Sequence, residues 1–591
     1  MKKDTEIFLS NIHDTGYLSK FDKNKRTHET MIYDAGREKE SLNGSWNFTI
    51  DPYDNCLRSE WFKEITESDI GMQLPLDYDL DQWEKINVPS CWNMHKKEYF
   101  WYEGSAVYTR KFRYENRGEK KVFIKFGAAN YCARVFLNRE FIGWHEGGST
   151  PFYFDVTGLL EKENRILVVV ENTRRGDRVP MDNTDWFNYG GIYRDVEIIR
   201  LPENFIKDFT LGLVPDRNFD KISFSVEISK PDNVNNVRIK INELDIDEAV
   251  SMTNGCGKLI INKKPALWSP ADPKLYDIEI SYGQDVIKEK VGFREIIVHG
   301  TDIFLNGERI FLKGICFHEE SVENGKAVHE DEIIENLKIG KDLGCNYVRL
   351  AHYPHTEKAA RLADEIGIML WEEIPVYWGI DFENKNTHID AENQLAELIK
   401  RDKNRASVVI WSVGNENPDT EARLEFMKSL ALKAKQLDPS RPVSAACLVD
   451  HVNLVINDRL AEYLDIIGIN EYYGWYEPDI TRLKKIFDNS KPDKPVIISE
   501  FGADAKAGER GSDADLWTED KQLALYKKQV DIISKIKYIN GMTPWILFDF
   551  RCPRRNNPFQ RFYNRKGLLS EDKKIKKLAY FCLKEFYERN L

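Results

Sequence analysis

No basic block, no paired-cysteine motif and no long apolar run occurs anywhere in the chain. Affinity for nucleic acid comes largely from phosphate neutralisation by clustered Lys and Arg. Here 85 basic residues face 97 acidic ones, a formal net charge of −12, so no nucleic-acid surface is expected. The 9 cysteines are scattered singly, an odd number without a CxxC pair. That fits reduced, buried thiols better than a disulfide frame or a zinc site. A bilayer span needs about 18 or more consecutive apolar residues, and none is present. The opening stretch MKKDTEIFLSNIHD also lacks the apolar centre of a secretory leader. The expectation is a soluble cytoplasmic protein with no membrane partner.

What is present is too long for one hydrophobic core: 591 residues imply about three domains. Trp and Tyr are plentiful, 14 and 26 of them, and such flat rings make the stacking platforms that sugar sites use. Short alternating segments run from about Ser45 to Leu201, among them SWNFTI, KKVFIKFG, FYFDVT and RILVVVEN. Closely spaced strands with Gly and Asn turns predict a jelly-roll β-sandwich over 1–201. One insert within it, VPMDNTDWFNYGG (Val179 to Gly191), has no strand period and reads as a long loop able to reach a neighbouring domain. A second set of strands, FSVEIS to VGFREI, has the size of an immunoglobulin-like sandwich over 202–295.

At Ile296 the pattern changes to strands alternating with long amphipathic helices, the mark of parallel βα units. Eight such pairs over 296–591 predict a (β/α)₈ TIM barrel, whose active site forms at the C-terminal strand ends. Those ends carry His318, Arg349, His352, Asn415, Glu416, Tyr472, Tyr476, Glu500 and Trp545. The runs VVIWSVGNENP and PVIISEFG each deliver one glutamate, Glu416 and Glu500, at the tip of a buried strand. One such glutamate is as readily an ion pair or a helix cap. Two of them on one barrel rim point to the paired carboxylates of glycoside hydrolysis. His318, Glu319 and Glu320 are consecutive, and a strand sends neighbours to opposite faces, so no metal site and no cofactor are expected.

The blocks WFNYGGIYRDV, FLKGICFHEE, VRLAHYPH, WSVGNENP and ISEFG, in this order, resemble glycoside hydrolase family two along nearly the whole chain. The resemblance implies Glu416 as general acid/base, Glu500 as nucleophile and Asn415 as donor to the sugar 2-hydroxyl. INEYYGWY and FYNRKGL look most like the family's β-glucuronidase branch, whose Asn-x-Lys motif falls on Asn564 and Lys566. The same branch places an aspartate near the sugar at Asp185, and tyrosines at Tyr472 and Tyr476. Two departures stand out: a short segment between Trp378 and Asn393, and a long basic tract, RCPRRNNPFQRFYNRKG. The first implies an open mouth for larger aglycones, and the second puts a sugar-reading arginine at Arg561.

The implied substrate is a β-glucuronide, either a small conjugate or a glycan end, released with retention by a homo-oligomeric enzyme. A β-galactosidase or β-galacturonidase of the same family is the near alternative, and a non-catalytic carbohydrate-binding protein the remote one. Close approach to an ionised Glu500 keeps Glu416 protonated at neutral pH. Arg349 and Tyr472 are expected to keep Glu500 charged, with Trp545 as the floor under the ring. Lys566 beside Asn564 would read the uronate carboxylate; otherwise Lys566 is one more solvated charge near Lys573, Lys574, Lys576 and Lys577.

Overall fold

A computed structural model describes residues 26–64, 78–231 and 236–589. Two compact units divide the chain. One holds Glu38–Thr173 and Asn188–Glu203 with the residues up to Met31; the other holds Ile32–Arg37, Arg174–Phe187 and Asn204–Leu591. In the first, a six-stranded sheet orders Glu84–Val88, Gly44–Ile50, Ser105–Arg113, Glu163–Glu171, Cys132–Leu137 and Glu140–Glu146. A four-stranded sheet orders Lys39–Ser41, Val196–Leu201, Lys121–Phe126 and Phe152–Asp155. Their apolar faces bury Trp46, Phe48, Tyr108, Phe126 and Phe152 in one core, as two packed sheets must.

In the second unit, residues 206–291 form a three-stranded and a four-stranded antiparallel sheet. Strict alternation of buried and less buried residues along Lys221–Ile228 and Asp285–Val291 shows why: each strand gives one face to the shared core. The barrel then closes through eight parallel strands. These are β1 (Leu312–Phe317), β2 (Tyr347–Leu350), β3 (Met369–Glu373), β4 (Val408–Asn415), β5 (Val443–Cys447), β6 (Ile466–Asn470), β7 (Val496–Glu500) and β8 (Ile539–Met542). All eight residues of β4 are buried, because helices cover its outside while side chains fill the inside.

The helices are α1 (Glu330–Asp342), α2 (Glu357–Ile366), α3 (Lys385–Asp402), α4 (Glu421–Leu437), α5 (Thr481–Asn489), α6 (Glu519–Ile533) and α7 (Leu578–Glu588). α3 starts where the Asn384 side chain caps the N–H groups of Asn386 and Thr387. Eight full pairs were expected, but the link from β5 to β6 carries only a small hairpin and a 3₁₀ turn, Arg459–Tyr463. A buried bidentate Arg423–Asp458 pair, 2.7 and 2.6 Å, anchors that link in place of an amphipathic face. β8 is shorter than the run GMTPWILFDF, because Pro544 has no N–H for the ladder. All nine cysteines are free, and seven of them are buried, as their scattering implied.

Candidate active site

Barrel closure brings the ends of β4 and β7 to one rim, with Glu416 just past one and Glu500 at the tip of the other. Glu416 has φ 52°, the left-handed region that a residue with a side chain adopts only at a cost. Gly414 precedes it where a Cβ would lie 2.6 Å from Asn417 Oδ1 and 3.0 Å from the Val376 carbonyl. The chain thus turns sharply after β4 and aims the carboxylate instead of continuing the strand.

Glu500 is held at both oxygens. Arg349 Nη1 donates to Oε1 at 2.8 Å and the Tyr472 hydroxyl donates to Oε2 at 2.6 Å. Arg349 is fully buried and serves four acceptors: besides Glu500 and the Ser499 carbonyl it donates to Glu373 at 2.9 and 3.1 Å and to Asn415 Oδ1 at 2.7 Å. Glu373 also accepts from the Trp371 indole at 2.7 Å and lies 2.8 Å from His352 Nδ1. Burial pushes the Glu373 carboxyl up, yet Arg349 and His352 outweigh it and hold it at about 2. Burial and the adjacent Glu500 push the Tyr472 phenol well above its usual range, so it stays a donor.

Glu416 is held differently. Among the described residues only neutral donors reach it: the Trp378 indole at 2.7 Å on Oε2 and Asn470 Nδ2 at 3.0 Å on Oε1. Burial, followed by the charge of Glu500, raises its pKa against those two hydrogen bonds. The two carboxylates therefore sit in opposite electrostatic settings, one beside a cation and one without. Asn415 joins them, since its Oδ1 accepts from both Arg349 and Asn470, which leaves its Nδ2 to donate to a ligand.

A second cluster collects charge beside this pair. Lys566, on the chain after the short Tyr563–Asn564 strand, is 1% exposed. Its Nζ lies 2.7 Å from Asp504 Oδ2 and donates to the Tyr476 hydroxyl at 2.8 Å. Arg555 grips Asp185 at 3.1 and 2.8 Å and also donates to Tyr476 at 3.0 Å. Two cations thus occupy both lone pairs of one phenol oxygen, and the Tyr476 O–H is left to point at an incoming acceptor. Asn564 donates to Asp185 at 3.1 Å and accepts from the Lys566 backbone at 3.1 Å.

His318, His352 and Trp545 form an aromatic wall. Trp545 stacks one face on His352 at 4.8 Å and meets His318 edge-on at 5.2 Å, while Trp186, one residue beyond Asp185, packs against both histidines. Burial, then the neighbouring His352 and His355, hold His318 well below the usual histidine range, so it is neutral. Its Nδ1 meets Tyr353 at 3.1 Å; its Nε2 is buried without a hydrogen-bond partner among the described residues.

The structure brings together Asp185, His318, Arg349, His352, Asn415, Glu416, Tyr472, Tyr476, Glu500, Trp545, Asn564 and Lys566. Arg561 is the correction: it is exposed, with φ 49°, and donates to the Pro558 carbonyl of its own turn at 3.1 Å. Arg555, six residues earlier in the same basic tract, stands at the site instead, because the turn at 557–561 folds back and buries Gln560 against Asp504. Glu373, Trp378, Asp504 and Arg555 were missed as site residues. Only Glu373 carries a signal in the sequence, as the last residue of a buried strand. Among the described residues no group of three His, Cys, Asp or Glu side chains could hold a metal ion.

Comparison with known proteins agrees with the three-part fold. Three models of the glycosyl hydrolases of family 2 match the chain: the sugar binding domain at 39–202, the central domain at 204–294 and the TIM barrel domain at 296–590. A β-glucuronidase of Paenibacillus borealis is 28% identical, covering 92% of this chain and 96% of its own. The human β-glucuronidase is also 28% identical, covering 94% of this chain and 92% of its own. Among solved structures, a β-glucuronidase from an uncultured Clostridium is 26% identical with TM-score 0.81, covering 95% and 99%. A β-galacturonidase of Eisenbergiella tayi bound to galacturonate is 25% identical with the same score and the same coverage.

Proposed function

From the chain's membership of glycosyl hydrolase family 2, we propose that it is an exo-acting, retaining hydrolase that releases β-D-glucuronic acid from glucuronides. The observation that carries the sugar is the corner where Lys566 and Arg555 converge on the Tyr476 hydroxyl. A neutral hexoside has no use for a buried ammonium, a half-buried guanidinium and a polarised phenol, whereas a C6 carboxylate receives charge-assisted hydrogen bonds there, each worth about 1.5–3 kcal/mol. The names of the β-glucuronidases it resembles support the same reading.

The reaction runs in two displacements. A Glu500 oxygen attacks the anomeric carbon while Glu416 gives its proton to the departing glycosidic oxygen, leaving a glycosyl ester on Glu500. Glu416, now a carboxylate, takes a proton from water, whose oxygen attacks the same carbon and frees Glu500. Arg349 and Tyr472 hold both oxygens of Glu500 and aim it, and burial with the charge of Glu500 favours the protonated form of Glu416 for the first step. Asn415 Nδ2 donates to the 2-hydroxyl and the orphan His318 Nε2 contacts a second sugar hydroxyl.

A panel of 4-nitrophenyl β-D-glucuronide, galacturonide, galactoside and glucoside tests the proposal: the glucuronide should give the highest kcat/KM. Preference for the galacturonide, the activity named for the Eisenbergiella tayi relative, would move the assignment to the C4 epimer. Assembly as a homo-oligomer belongs to the same proposal and is measured by light scattering in solution.

A further inference from the structure

We propose that Asp504 is a positioning residue for uronate recognition, holding the Lys566 ammonium beside Tyr476 where the sugar carboxylate must meet it. The proposal rests on the glucuronide reading above and concerns a residue that makes no contact with the reacting atoms. Asp504 lies four residues beyond Glu500, in the loop that leaves β7, and its side chain is 1% exposed, as is that of Lys566. Each oxygen has a separate task. Oδ1 accepts from Gln560 Nε2 at 2.9 Å and from the Arg565 N–H at 3.0 Å, and next to it the Ala505 N–H pairs with the Arg565 carbonyl at 2.9 Å. These bonds fasten the carboxylate to the backbone one residue before Lys566. Oδ2 is then left facing Nζ at 2.7 Å.

An ammonium has three N–H donors and no acceptor. In Lys566 one faces Asp504, one goes to Tyr476, and the third has no acceptor among the described residues. The ring faces of Tyr472 and Tyr476, at 5.6 and 4.8 Å from Nζ, close the apolar sides. The third donor is the one a sugar carboxylate would take. Without Asp504, a buried ammonium 1% exposed and facing Arg555 would have no anion in the empty site, and such a group gives up its proton or swings away. Burial pulls Lys566 down and Arg555 adds to that; Asp504, helped by Tyr476, reverses the direction and holds it above the ordinary lysine range. The pairing has a second consequence: because Lys566 already has an anion, a neutral sugar strands no charge, so discrimination against it comes from the missing third hydrogen bond.

The test compares Asp504→Asn, Lys566→Met and the double variant, using 4-nitrophenyl β-D-glucuronide and β-D-glucoside across the pH range, with a thermal melt for each protein. Asp504→Asn should lower glucuronide kcat/KM by about 10- to 100-fold, chiefly through KM, and glucoside kcat/KM far less. The Glu416 limb of the pH profile is common to both substrates and cancels in the glucuronide-to-glucoside ratio of kcat/KM. In Asp504→Asn that ratio should fall as pH rises, at lower pH than in the wild type, as Lys566 loses its proton earlier; a purely structural strut would not change the pH dependence of the ratio. In the Lys566→Met background the Asn change should have no further effect on the ratio. Competitive inhibition by D-glucuronate and D-glucose repeats the comparison without turnover. If Asp504→Asn does not fold, Asp504→Glu keeps the charge and moves it by one methylene; it should weaken glucuronide binding while leaving the pH dependence of the substrate ratio in place. Equal losses on both sugars, a glucuronide-to-glucoside ratio whose pH dependence is unchanged in Asp504→Asn, or a ratio that still falls on adding the Asn change in the Lys566→Met background overturns the proposal. A Lys566→Met ratio equal to that of the wild type sinks the glucuronide reading itself, whereas a lowered Lys566→Met ratio with an unaffected Asp504→Asn ratio sinks only the role of Asp504.

Discussion

Arg349 holds Glu500 by one nitrogen, at 2.8 Å, while its other nitrogens hold Glu373, and all three side chains are buried. One guanidinium thus balances two carboxylates, a ratio sustained by His352 and the Trp371 indole on the Glu373 side. Replacing Arg349 by Met removes the guanidinium shared by two buried carboxylates, which costs about 3–5 kcal/mol of stability. Glucuronide kcat should fall by at least about 100-fold, with a melting temperature several degrees lower. A variant melting like the wild type and keeping its kcat would show that Glu500 does not depend on this arginine.

Glu416→Gln should separate substrates by leaving group. A poor leaving group needs a proton in the transition state and loses about 100- to 10,000-fold; an activated aryl glucuronide loses much less in the first step. Equal losses on both would remove Glu416 from the acid role. NMR of the first-formed sugar tests Glu500 in the same way: a β-glucuronide should yield initial β-anomer, and initial α-anomer would mean inversion.

The pH profile follows from the raised Glu416. As the acid of the first step it must carry its proton, so kcat/KM falls as pH rises through its pKa, and the upward shift moves this basic limb above the ordinary glutamate range. Trp378→Phe removes the indole N–H from Oε2, a bond that favours the charged form. The limb should then move further up in pH. A limb that stays put or moves down would contradict the assignment.

Lys566→Ala should reduce glucuronide kcat/KM by about 30- to 1000-fold, about 2–4 kcal/mol, and glucoside kcat/KM far less. Because the change also strands the buried Asp504 carboxylate, the melting temperature should fall as well, and the ratio of the two substrates is the measure that isolates recognition. An unchanged ratio would favour the β-galactosidase alternative.

The alternation of buried and exposed residues in Asp285–Val291, the unbroken apolar run of β4 and the glutamates that end such runs are local properties, so fold class and the Glu416–Glu500 pair were legible from order alone. Asn564 and Lys566 were legible only through the resemblance to the β-glucuronidase Asn-x-Lys motif, since Lys566 lies past the short Tyr563–Asn564 strand. What tertiary structure decided is who pairs with whom. Arg555 and Arg561 belong to one basic tract and nothing local tells them apart; the fold-back that buries Gln560 on Asp504 sends Arg555 to Asp185, which lies 370 residues away, and leaves Arg561 in solvent. Trp378 and Asp504 sit in loops without periodicity, and their partners Glu416 and Lys566 are 38 and 62 residues distant. Strand period is set within a few residues by backbone geometry, whereas an ion pair exists only after the barrel has closed and removed water from both charges.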